Sequence, residues 1–332
     1  MVNPKSISVL LLHSALAFLS VEIANAQGLN PHFYKSTCPN VTHIVRKKMN
    51  DTITRDRTLA APLLRMHFHD CFVMGCDASV LLDSTNGNKA EKEAIPNQSL
   101  RGFEVIDEVK AVLENHCPGI VSCADILALV AERAVRLTGG PSWQVFLGRR
   151  DGKVSRVTEA VKNIPSPLSN ITVLKQNFAD VKLNETDLAA LSGAHTIGRA
   201  HCFTFATRLY NFTGENDKDP SLDREYARKL QSACPPQASS AAKVEMDPGS
   251  FTRFDTAYYS GVAKDRGVLG SDAALLKSEI TRKYVRGHAS YSSSSTTAFF
   301  RDFAKSMVKM GNIGVLTGTQ GEIRKICSRI NN

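Results

Sequence analysis

The chain has 332 residues, eight cysteines, and 41 Lys and Arg against 32 Asp and Glu, a formal charge of +9. That length is long for one domain and compatible with two lobes around one cofactor. No G-x-G-x-x-G or Walker sequence and no internal repeat occurs, which leaves dinucleotide and ATP chemistry without support.

Lys5, an apolar run from Ile7 to Val21 and the small residues Ala24-Asn25-Ala26 read as a signal peptide over residues 1–26, with 27–332 as the mature domain. Nothing later is apolar for eighteen residues, so no membrane span is expected after its removal. A basic secreted protein is drawn to polyanions such as acidic wall polysaccharide, and nucleic acid is not an expected partner outside the cell. Eight cysteines in an oxidising compartment imply four disulfides, among 105 possible connectivities. No C-x-x-C occurs, against a zinc ribbon or thioredoxin-like site, and no C-x-x-C-H offers covalent haem attachment. Asn-x-Ser/Thr sequons stand at Asn40, Asn50, Asn97, Asn170, Asn184 and Asn211.

In chain order, the spacing predicts a helix over Val41–Ile53 and a second over Leu59–His69. On the second, Arg65, Phe68 and His69 share a face, bringing a permanent cation, an aromatic wall and an imidazole together. Asp70 turns off that face; Cys71 and Cys76 bracket a short loop, and Asp77 and Ser79 beyond it add oxygens of the kind that hold calcium. Asp83–Leu100 reads as a long loop, followed by amphipathic helices over Phe103–Asn115 and Ala124–Leu137, the latter ended by Gly139-Gly140-Pro141. Trp143 reads as a core aromatic, and Ile164-Pro165-Ser166-Pro167 as a rigid break. Asn184–Asp187 opens a helix expected to run from Leu188 to Thr196, carrying His195. Asp247, Ser250, Arg253 and Asp255 lie in a turn, and Phe299–Met310 closes the chain with a further helix.

Taken singly these are ordinary features; jointly they are specific. R-x-x-F-H-D-C-F-V-x-G-C-D-A-S resembles the distal signature of the secreted plant haem peroxidases (class III), and L-S-G-A-H-T-I-G resembles their proximal motif. Further matches, in the family's order, extend from Tyr34 to Cys327. The resemblance implies an all-α haem peroxidase fold of two helical lobes, distal and proximal, enclosing one non-covalent haem b. Two Ca2+ ions would be held, the first by Asp70, Val73, Gly75, Asp77 and Ser79, the second by Thr196, Asp247, Ser250, Arg253 and Asp255. The implied disulfides are Cys38–Cys117, Cys71–Cys76, Cys123–Cys327 and Cys202–Cys234.

By the same resemblance His195 is the axial iron ligand, with Asp272 accepting its ring N–H. His69 moves the peroxide proton, Arg65 stabilises charge on the departing oxygen, Asn97 accepts the other ring N–H of His69, and Glu91 fixes Asn97. Phe68 shields the iron from bulky donors, and the Pro165 carbonyl contacts the substrate. Gly193 and Ala194 would let their helix approach a flat macrocycle, and Thr204 stands where the family often has an aromatic. The implied activity is reduction of hydrogen peroxide to water with one-electron oxidation of phenolic donors, by a secreted monomer of the cell wall.

Two other classes compete. A calcium-binding, disulfide-rich structural glycoprotein would use Asp70, Asp77, Asp247 and Asp255 without haem. A metal hydrolase would gather His67, His69 and Asp70 with a third converging ligand, although His67 faces away from His69 on a helix.

Overall fold

The computed structural model describes residues 28–290 and 292–332, so the expected signal peptide lies outside the described residues. Helix α1 (Val41–Arg55) turns its buried stripe, Val41, Ile44, Val45, Met49 and Ile53, to the interior. A single 3-10 turn, Arg57–Leu59, capped by the Asp56 side chain on the Thr58 N–H, leads into α2 (Ala60–Val73). The expected helix is thus longer at its C-terminal end, and His69 and Asp70 lie within it.

Helices α3 (Phe103–His116) and α4 (Cys123–Leu137) follow. The α4 residues Ile126, Leu127, Val130, Ala131, Ala134 and Val135 have no solvent exposure. Burial of a large aliphatic side chain contributes roughly 1.5–3 kcal/mol, which makes α4 the axis against which α1, α2 and α3 pack. The Ser122 hydroxyl accepts from the Asp125 N–H to start α4, and Gly139, at φ 94°, lets the chain leave it.

Short helices α5 (Val157–Asn163) and α6 (Ile171–Asp180) flank the proline break. Helix α7 (Glu185–Ser192) begins with a reciprocal cap, Asn184 accepting from the Asp187 N–H and Asp187 from the Asn184 N–H, each at 3.0 Å. It ends earlier than the sequence suggests. Gly193–Thr196 tightens into a 3-10 turn, so His195 sits on that turn and not on an α-helix.

The antiparallel ribbon β1 (Arg199–His201) and β2 (Lys243–Glu245) pairs Ala200 with Val244. With α8 (Ala206–Tyr210) and α9 (Arg224–Ala233) it surrounds a small second core containing Phe205, Leu209, Leu230, Met246 and the Cys202–Cys234 bridge. Helices α10 (Ala257–Ala263), α11 (Gly270–Ala274), α12 (Glu279–His288) and α13 (Ser293–Met310) complete the chain. Phe299, Phe303 and Met307 of α13 join the main core, and Trp143, half-buried, packs edge-on against Phe303.

All eight cysteines are paired, as Cys38–Cys117, Cys71–Cys76, Cys123–Cys327 and Cys202–Cys234. Cys123–Cys327 closes a separation of 204 residues and ties the C-terminal tail to the start of α4, the kind of long loop whose closure constrains the unfolded chain most. No helix among the described residues is long and apolar enough to cross a membrane.

Candidate active site

Successive turns of α2 bring Arg65 and His69 together: the Arg65 Nε donates to His69 Nε2 at 3.0 Å. Two further bonds fix the guanidinium, to Ser99 Oγ at 2.8 Å and to the Pro96 carbonyl at 2.7 Å. Phe68 stands edge-on to His69 and to Phe72, with ring centroids 5.2 and 4.6 Å apart. Arg65 and Phe68 are only partly buried whereas His69 is 2% exposed, so the imidazole lies at the bottom of the group.

The other ring nitrogen of His69 meets Asn97 Oδ1 at 2.5 Å. The amide orientation follows from its other end, where Asn97 Nδ2 donates to the Glu91 carbonyl at 2.8 Å. Oδ1 therefore accepts, the His69 proton resides on Nδ1, and Nε2 keeps its lone pair. Burial, and next the Arg65 cation, hold the His69 pKa well below the ordinary imidazole value, with the Asn97 bond acting in the opposite sense. The result is a neutral base whose Nδ1 is committed to Asn97 and whose Nε2 lone pair is met by the Arg65 N–H.

Glu91 thus positions Asn97 through its backbone; its carboxylate does something else. Both carboxylate oxygens are buried without hydrogen-bond partners, as are Asp70 Oδ1 and Ser79 Oγ. Two other oxygens in the group are engaged: Ala78 N–H donates to Asp70 Oδ2 and Ser79 N–H to Asp77 Oδ1, each at 3.0 Å. An orphaned buried polar atom costs about 1–3 kcal/mol, and four in one place point to a shared cation. Burial pushes the Asp70, Asp77 and Glu91 carboxyls upward, Glu91 to about 8. Val73 and Gly75 carbonyls lie in the same turn, accepting from Asn163 Nδ2 at 3.2 Å and the Asp77 N–H at 2.8 Å. Gly152 makes room: a Cβ there would lie 2.1 Å from Asp77 Oδ2.

The 3-10 turn Gly193–Thr196 presents His195, whose side chain is 38% exposed. Its Nδ1 lies 2.7 Å from Asp272 Oδ1, leaving Nε2 uncommitted. Asp272 is 1% exposed and held also by the Tyr258 hydroxyl at 2.9 Å and the Leu269 N–H at 2.9 Å. Burial alone would raise the Asp272 pKa, but the His195 charge and these bonds bring it below the ordinary carboxylate value. Gly193 does not face a cofactor surface: a Cβ there would strike the Tyr259 hydroxyl at 2.3 Å and Phe299 at 2.5 Å. It is a packing glycine, and Ala194, partly exposed, is the small residue beside His195.

Immediately after His195, Thr196 Oγ1 donates to Asp247 Oδ2 at 3.0 Å and lies 3.2 Å from Asp255 Oδ1. Ser250 Oγ and Arg253 Nε reach Asp255 Oδ2 at 3.2 and 2.8 Å. Burial is the main force lifting Asp247 to about 7, and Asp255 adds to it. This second oxygen cluster sits directly behind the proximal turn.

The sequence reading gave no role to Tyr258, Ser99, Gly152 or Arg324. Arg324, fully buried, donates to the Ala78 carbonyl at 2.7 Å and braces the turn after Asp77. None of these carries a local sequence signal, because each acts on a residue at least 14 positions away in the chain. Pro165 lies half-buried between α5 and α6, and Thr204 Oγ1 is turned to the His201 carbonyl at 2.6 Å. His67 does not join His69: it lies against Cys71. The His67, Cys71 and Cys76 donors are within 4.8 Å of one another, but the two sulfurs are bonded together, so the cluster offers no metal thiolate.

Residues 45–291 match the protein-family model described as Peroxidase. The chain is 56% identical to Peroxidase 27 of Arabidopsis thaliana over 93% of its own length and 94% of that protein. It is 54% identical to Peroxidase 56 of the same plant, over 92% of each, and 51% identical to Peroxidase 1 of Oryza sativa subsp. japonica, over 98% and 99%.

Proposed function

The chain belongs to the class III plant branch of the peroxidase family and is a haem peroxidase; on that premise we propose that it oxidises small phenolic donors outside the cell, with His69 as acid–base residue and His195 as haem ligand. The observation that carries these roles is that each imidazole commits Nδ1 to a partner, His69 to Asn97 and His195 to Asp272, while His69 Nε2 meets the Arg65 guanidinium and His195 Nε2 is left to act.

The donor set fits haem held by one histidine. His195 offers Nε2 from a partly exposed side chain, and the Asp272 carboxylate behind it makes the imidazole a more electron-rich ligand. With every cysteine in a disulfide, no thiol remains for thioether attachment, which supports non-covalent haem b. When bound, haem supplies the iron at which the peroxide O–O bond is broken and the oxidising equivalents later passed to donors.

The chain's own residues govern the protons. His69 Nε2 takes a proton from the peroxide oxygen that stays, and returns it to the oxygen that leaves as water. Asn97 holds Nδ1–H throughout, so the same nitrogen performs both transfers. Arg65, tethered to Ser99 and Pro96, turns its remaining N–H groups to the charge developing on the leaving oxygen. Phe68 narrows the approach and leaves phenols to react at the edge of the site, near Pro165. Two phenols each give up one electron and one proton, so one peroxide yields two waters and two phenoxyl radicals.

The two oxygen clusters fit calcium, the first through Asp70, Asp77, Ser79 and the Val73 and Gly75 carbonyls, the second through Thr196, Asp247, Ser250, Asp255 and the Arg253 carbonyl. Each adjoins one functional histidine, so the ions would hold Asp70 and Thr196 and thereby the rings beside them. Four disulfides support secretion to the wall space. Purified protein should show a Soret band that shifts on adding hydrogen peroxide and returns on adding a phenol such as guaiacol. A protein that binds no haem when refolded with hemin and calcium would overturn the proposal in favour of a structural calcium glycoprotein.

A further inference from the structure

Behind the proximal turn lies a cavity of about 270 Å³. Its walls are apolar and aromatic, from Met246, Tyr226, Tyr258 and Val262, while Lys229, Lys264 and Arg266 contribute three cations. The one carboxylate in the lining, Asp247, accepts at Oδ2 from the Thr196 hydroxyl at 3.0 Å. Lys229 and Arg266 have carboxylates at 2.8 and 3.3 Å, Glu225 and Asp223, whereas Lys264 has no ion pair among the described residues. Tyr226 is 8% exposed, and its buried hydroxyl has no hydrogen-bond partner.

We propose that this cavity is a second, non-catalytic ligand site that takes a small aromatic carboxylate, its ring between Met246 and the tyrosines and its carboxylate at the lysine-bearing rim. The size suits a single ring with a short acidic arm, at the small end of ligand cavities. Lys264, the lining cation with no ion pair among the described residues, favours the acid over the neutral amide or the amine. Tyr258 forms part of the wall and also donates to Asp272, so an occupant touches the residue that orients the carboxylate behind His195. The binding itself does not depend on the role given to His195.

The structure offers a clean way to close the cavity. Gly261, on α10, lines it, and a Cβ there meets nothing within 4 Å. Gly261→Leu should therefore fill the space without strain and with better helix propensity. Calorimetric titration of the purified holoenzyme with phenylacetate, without peroxide, should show saturable binding, and phenylacetamide should show none. Gly261→Leu should abolish that binding with the Soret band intact, and Lys264→Glu should weaken it about fivefold, as expected for a partly exposed ion pair. Phenylacetate binding that survives Gly261→Leu but is lost in Arg65→Leu would place the ligand on the distal side and overturn the proposal. So would the absence of phenylacetate binding to the parent enzyme.

Discussion

The two histidines are the same side chain placed in opposite electrostatic settings. His69 is buried to 2% exposure, lies against the Arg65 cation, and hands its Nδ1 proton to a neutral amide. His195 is 38% exposed at the side chain and hands its Nδ1 proton to a buried carboxylate. A neutral partner beside a cation keeps an imidazole uncharged and available for a proton; an anionic partner enriches it as an electron donor. Sequence motif alone does not explain this division of labour, because the partners, Asn97 and Asp272, are 28 and 77 residues away.

The largest expected break comes from removing the exposed ring. His195→Ala should lose haem on gel filtration, or retain it with a changed spin state, since the lesion is in ligation; an unchanged Soret band and haem content would count against the proximal assignment. Arg65→Leu should keep haem and slow the reaction with peroxide by about 10², the loss typical of one positioned charge-stabilising donor. Stopped-flow rates equal to the parent would show that the guanidinium only braces its neighbours His69, Ser99 and Pro96.

A smaller effect should follow stripping of calcium, because both oxygen clusters adjoin the histidines without containing them. With removal verified by metal analysis, thermal stability and turnover should both fall and recover when calcium is restored. No change in either would leave the orphaned oxygens of Asp70, Ser79 and Glu91 without explanation.

The mildest test is pH. The folded pKa of His69 lies below 6.5, so the free base persists as pH falls from 7 through 6.5, and the rate with peroxide should stay level there and drop only in more acidic solution. An inflection at or above 6.5 would contradict the burial argument.

What the sequence disclosed follows the same division. The distal residues were legible because they are local: Arg65, Phe68, His69 and Asp70 share one helix, and Asp77 and Ser79 follow within ten residues. The predominance of helix and six of the thirteen α-helices among the described residues, α1 to α4, α7 and α13, were legible from apolar spacing, and α5, α6 and α8 to α12 were not. The conformation at His195 was not, since Leu188–Thr196 has helical composition throughout, yet Gly193 must lie against Tyr259 and Phe299, where the chain tightens into a 3-10 turn. Glu91 was read as fixing Asn97, and the atom that holds the amide is its backbone carbonyl, which side-chain chemistry cannot reveal. Asn97 itself belongs to a sequon yet is 2% exposed with both ends of its amide bonded, which leaves no room for a glycan. Asn50 is half-buried in α1 and bonded to Arg133, while Asn170 and Asn184 cap helices.

The most direct test of the asymmetry is stopped-flow reaction of hydrogen peroxide with His69→Ala, compared with the parent at matched haem content. The account predicts full haem retention and a rate lowered by at least ~10²–10⁴, the contribution of a positioned acid–base group, because one nitrogen makes both transfers. A variant that reacts with peroxide as fast as the parent, and is impaired only in phenol oxidation, would reduce His69 to a wall of the pocket and contradict the account.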